Sequence, residues 1–212
     1  MLSQRPKKLM SQNQEILLEA RHICETFRGF TDGVRVLFLI HRSKEGSKSA
    51  NNDKLKKVIV RNEKEFETEL YNLLVEKHGS ELPLRIYSCV NPRNMASAIR
   101  KFKEDQLNAD YYDELNHHSF YLDIRNRFIS ALMKPSSSDR SYFIIDIDTK
   151  EDCPNGLDSV LMAIANAGID SKRITQYPTK NGWHIVMHPF NPKLLGVHEE
   201  KIEKDALLLL SY

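Results

Sequence analysis

Residues 141–150 read SYFIIDIDTK. Four β-favouring residues (Tyr142, Phe143, Ile144 and Ile145) run directly into Asp146 and Asp148, with only Ile147 between the acids. In a strand, residues i and i+2 point to the same face. Both carboxylates should therefore emerge side by side at the strand's end, about 7 Å apart, while Ile147 turns into the core. Two like charges placed this way either hold a cation between them or face solvent by accident.

The rest of the chain limits what surrounds that strand. At 212 residues it can form one domain or two intimately packed lobes around a real core. A net charge of +2 does not by itself advertise a polyanion partner, so any such case rests on how the charge is distributed. The three cysteines, Cys24, Cys89 and Cys153, are odd in number and lack CxxC spacing. They argue against a disulfide framework or zinc knuckle and for a reducing compartment. No apolar run approaches the roughly 20 residues of a membrane span, and the basic N-terminus leads into SQNQEILLEA rather than the apolar core of a signal peptide. The expectation is a soluble, cytoplasmic protein with no membrane partner.

Periodicity lays out the elements. Ile16, Leu17, Ala20, Ile23, Cys24 and Phe27 fall at helical spacing over 11–28, with Ser11 as the N-cap. VRVLFLI (34–40) and VIVRN (58–62) read as strands. Between them lies a polar arm. From residue 35 to 57 it carries Arg35, Arg42, Lys44, Lys48, Lys54, Lys56 and Lys57 against only Glu45 and Asp53. A helix over 63–79 has Phe66, Leu70, Leu73 and Leu74 on one face and Gly79 as its stop signal. A strand follows at 82–91, then mostly helix over 95–133 and a loop at 134–140. After the aspartate strand come a helix at 156–168 closed by Gly168, a strand at 172–179, the tight-turn dipeptide Asn181–Gly182 and a return strand at 183–190. The tail forms a helical turn and a strand.

This order predicts an α+β fold. The segments are an N-terminal helical piece (1–34), an αβ unit with a basic arm (35–135), and an RRM-like antiparallel sheet with helices (136–212). The hairpin brings KNGWHIV beside FIIDID, and His184 sits next to the turn. Oxygen-rich acid pairs with open positions suit Mg²⁺ or Mn²⁺, which keep waters and take substrate phosphates as ligands.

An apolar strand ending in IIDID (144–148), followed by a helix, a strand and TKNGWHI (179–185), resembles the catalytic core of the archaeo-eukaryotic primase superfamily. RIYSCVNPRN (85–94) looks like the strand-plus-NPR element of its viral and mobile-element members. The resemblance spans residues 82–212 and implies a two-lobed primase-type core. It implies that Asp146 and Asp148 coordinate Mg²⁺ or Mn²⁺, with Asp205 as the third carboxylate, and that His184 contacts the phosphates of a nucleoside triphosphate. Gly182 stands where many members carry serine. Arg93 is the expected triphosphate or template-phosphate contact, and Lys172, Arg173 and Lys180 flank the strand beside the histidine. The implied activity is nucleotidyl transfer on a single-stranded DNA template, alone or with a helicase or accessory replication subunit. The same residues leave open a non-catalytic binder of single strands and a metal-dependent nuclease.

Overall fold

The alternation around Asp146 sets one of two sheets, and the computed structural model builds both from antiparallel neighbours. It describes residues 5–29, 33–41, 54–112, 121–148, 156–169, 174–179 and 181–212. The chain divides into two units. The first comprises residues 1–88, 92–138 and 209–212, the second residues 89–91 and 139–208. These are not the contiguous segments 1–34, 35–135 and 136–212.

In the first unit, helix α1 (Arg5–Thr26) buries Ile16, Ala20 and Ile23, with Phe27 buried just beyond its end. Ser11 lies inside this helix rather than capping it. No glycine interrupts residues 5–11, and Pro6 in the first turn loses no needed hydrogen bond. Strands β1 (Arg35–His41) and β2 (Lys54–Val60) pair antiparallel, and β1 is buried along its whole length. The sequence expectation for β2 began four residues too late, because lysines 54, 56 and 57 masked the pattern. Residues 42–53, most of the basic arm, lie outside the described residues.

Helix α2 (Glu63–His78) starts as expected. The Asn62 side chain accepts from the Glu65 amide, and the Glu65 carboxylate accepts from the Arg61 amide. Its buried face is Phe66, Leu70, Leu73 and Leu74. Strand β3 (Leu84–Cys89) follows, with Pro83 left just outside it. The sheet runs β2-β1-β3-β8, with β8 spanning Leu207–Ser211. Helices α3 (Met95–Tyr112) and α4 (Ile124–Leu132) pack through an edge-on contact of Phe102 and Phe128. A 3₁₀ turn at Pro135–Ser137 closes the segment, and its Ser137 hydroxyl donates to Ala131 O.

The second unit has the order β4 (Phe143–Asp148), α5 (Gly156–Asn166), β5 (Ile174–Pro178), β6 (Gly182–Met187), a 3₁₀ segment Pro192–Lys201, and β7 (Ile202–Glu203). Its sheet runs β5-β6-β4-β7 with every neighbour antiparallel. This is a split β-α-β arrangement, in which the hairpin strand β6 inserts between β4 and β5. Ile145, Ile147, Ile185 and Met187 on one face pack against Val160 and Ile164 of α5 and against Leu195. Gly168, at φ +70°, ends the helix: Ile169 N–H reaches back to Ile164 O.

Candidate active site

Because one face of this sheet is filled by α5, the residues of opposite parity are committed to the other face. On β4 these are Ile144, Asp146 and Asp148, and both acids are exposed while Ile147 is fully buried. The pairing Asp146↔His184↔Tyr177 forms a row across β4, β6 and β5, and Asp148 faces Gly182. The histidine expected beside the acids is therefore directly opposite the first of them. His184 Nε2 lies 3.3 Å from Asp146 Oδ1. The imidazole is 13% exposed and the carboxylate 48%. His184 Nδ1 is buried and has no hydrogen-bond partner among the described residues.

Tyr177, the far member of the row, is 4% exposed, and burial pushes its phenol well above the usual range. It stays protonated and walls the inner end of the row. The composition of its strand offered no hint of this; only the register places it beside His184.

Asp205 is not brought to the acids. It lies in the bend between β7 and β8, where Asn91 Nδ2 approaches its Oδ1 at 3.5 Å and also donates to Tyr142 O. Tyr142 precedes β4, and Asp146 is four residues further along, about 13 Å in a strand. The acid the register does offer is Glu203. It pairs with Ile144, is exposed, and shares the Asp146 face as a diagonal neighbour, about 7–8 Å away. Its signal in the sequence was the in–out pair Ile202–Glu203, too short to stand out beside the apolar run after Asp205.

Arg93 belongs to the first unit, where it is 3% exposed and its backbone amide donates to Val34 O. Lys172, Arg173 and Lys180 lie outside the described residues. Among the described residues no group of three or more His, Cys, Asp or Glu is gathered closely enough to hold a metal ion. Asp146, Asp148 and Glu203 are hard oxygen donors on the same face of this sheet, the ligand type that Mg²⁺ and Mn²⁺ take, spaced about 7 Å apart along and across the strands. No described helix is long and apolar enough to cross a membrane. Comparison with models of known protein families, with curated protein sequences and with solved structures returns no match.

Proposed function

We propose that this chain is a metal-dependent nucleotidyltransferase of primase-polymerase type, which extends a nucleic-acid strand from nucleoside triphosphates. The observation that carries the reading is the row on the sheet face opposite α5: Asp146 and Asp148 exposed at the end of β4, with His184 3.3 Å from Asp146 on the neighbouring strand. The resemblance of IIDID and TKNGWHI to the primase core gave the same three residues, and the antiparallel register is consistent with their acting together.

In the reaction, a strand's 3′-hydroxyl attacks the α-phosphorus of the incoming nucleotide. A new P–O bond forms as the bond to the β-phosphate's bridging oxygen breaks, and pyrophosphate leaves. Asp146 and Asp148, with Glu203, would hold Mg²⁺ or Mn²⁺. Bound there, the ion supplies charge neutralisation and a lowered hydroxyl pKa. His184 has a donor at Nε2 that can pass from Asp146 to a phosphate oxygen once that carboxylate is engaged elsewhere. The protein otherwise aligns the reactants, which in phosphoryl chemistry is most of its work.

The test is incubation with single-stranded DNA, labelled nucleoside triphosphates and Mn²⁺ or Mg²⁺, beside an Asp146→Ala/Asp148→Ala control. Labelled product in the wild type alone is the expected result. Absence of product with either ion, with oligonucleotide binding intact in both proteins, would make the chain a binding subunit. Oligonucleotide shortening without added triphosphate would make it a nuclease.

A further inference from the structure

The first unit carries a second polar site, independent of the acids on the second. A cavity of ≈ 450 Å³ is lined by Lys57, Asp105, Asp123, Asn126, Arg127, Ser130 and Lys134. This volume falls in the range of ligand sites. Three of these residues are cations and two are acids, so the formal balance is only slightly positive. The hydrogen bonding decides which donors remain open.

Each acid already has a donor. Lys101 Nζ sits 3.2 Å from Asp105 Oδ1, and Asn126 Nδ2 donates to Asp123 Oδ1 at 2.6 Å. The amide of Asn126 is thereby pinned, and its Oδ1 accepts from Lys57 Nζ at 3.1 Å. An ammonium has three donors, so Lys57 keeps two with no partner among the described residues. The Lys134 ammonium and the Ser130 hydroxyl make no hydrogen bond or ion pair with any described residue. Arg125 secures the edge of this site by donating to Lys57 O. One oxygen of each acid is engaged, while the Lys57 and Lys134 ammoniums and the Ser130 hydroxyl keep open donors.

Open ammonium and hydroxyl donors beside a guanidinium suit a phosphate oxygen. We infer that this groove holds the phosphodiester backbone of a single-stranded nucleic acid, with Lys57, Ser130 and Lys134 as the phosphate contacts. Backbone contacts of this kind position a strand without reading its sequence.

The experiment titrates a labelled oligothymidylate and an oligoadenylate into the full chain over a range of salt. Lys134→Gln and Lys57→Gln should each weaken both oligonucleotides several-fold and alike, and reduce the slope of log K against log salt by about 0.7. Asp123→Asn should tighten binding, a gain that misfolding does not mimic. Lys64→Gln, an equal charge change elsewhere on the same unit, should leave the affinity near that of the wild type. Wild-type binding and slope in Lys134→Gln, or an equal loss in Lys64→Gln, would overturn the inference. So would competition by inorganic phosphate or a nucleoside monophosphate as effective, per phosphate, as that of the oligonucleotide, since the ligand would then be a free phosphate rather than a strand. The titration omits divalent ions and triphosphates and reads strand binding alone, whereas the nucleotidyltransferase reading is tested by labelled product, so failure of one and failure of the other are separable.

Discussion

Gly182 faces Asp148 across the β4–β6 ladder, and there is no room at that point for a methyl group. A Cβ built on it would fall 1.8 Å from Ile147 O and 3.1 Å from the Asp148 Cα. The obstruction is backbone, which cannot swing aside as a long side chain can. A serine at this position would therefore displace the strand that bears the acids. Gly182→Ala should cost about 1–3 kcal/mol, the usual range for overpacking a tight site. Trp183 is the chain's single tryptophan and adjoins the site, so its fluorescence during urea unfolding reports the loss. An unchanged midpoint would mean that the two strands separate freely at this position. At this scale the sequence was informative where one rule sufficed: period two put Asp146 and Asp148 on one face, and the Asn181–Gly182 turn put His184 beside them. It misled where partners are set by register. Asp205 had the more conspicuous neighbours, but the two-residue strand β7 puts Glu203, not Asp205, on the face of Asp146.

Helices α1 and α2 meet the C-terminal strand through one polar cluster in the first unit. The Glu19 carboxylate accepts from the Ser211 hydroxyl at 2.7 Å and lies 2.7 Å from His78 Nε2, with Lys77 Nζ 4.0 Å away. Lys77 also donates to the Ser211 hydroxyl and to Tyr212 O. Burial alone would raise the Glu19 pKa. Hydrogen bonds from His78 and Ser211 and the charge of Lys77 outweigh it, so the carboxyl titrates below the ordinary value of 4.5. A depressed carboxylate stabilises the fold fully above its unfolded pKa, and that contribution is lost as the pH falls through the folded one. The urea midpoint should therefore drop on acidification from about pH 6 to about pH 3, and Glu19→Gln should flatten that drop. Equal acid sensitivity in the two proteins would assign the effect to other carboxylates. None of this cluster was legible beforehand, since its members are about 60 and about 190 residues apart. Helix α2 was legible in its bounds and apolar face, because those signals lie within its own residues; its Asn62 cap was not, since Asn62 read as the end of a strand.

Across the whole molecule the chain passes from one unit to the other at residues 88, 91, 138 and 208. The sequence suggested a break near 135, at the KPSSSDR loop. Composition marks such stretches but cannot reveal a three-residue insertion such as 89–91. That insertion is structural. Asn91 is fully buried; its Oδ1 accepts from the Tyr142 amide at 2.7 Å, and its Nδ2 donates to Tyr142 O and Lys204 O. Beside it the Val90 amide donates to Ala206 O. These bonds hold the entry to β4 against the exit from β7, and β4 is the strand that bears Asp146. Asn91→Ala leaves one amide and two carbonyls to find other partners, at about 1–3 kcal/mol for each that stays buried and unpaired. The Trp183 transition, which belongs to the second unit, should move to lower urea by more than the far-ultraviolet helix signal, which comes mostly from α1–α4 of the first unit. A fragment of residues 136–212 lacks Val90 and Asn91 altogether and should show no cooperative Trp183 transition. A sharp transition in that fragment, matching the full chain, would show that the second unit needs nothing from before residue 136 and that the segment 89–91 only passes through it.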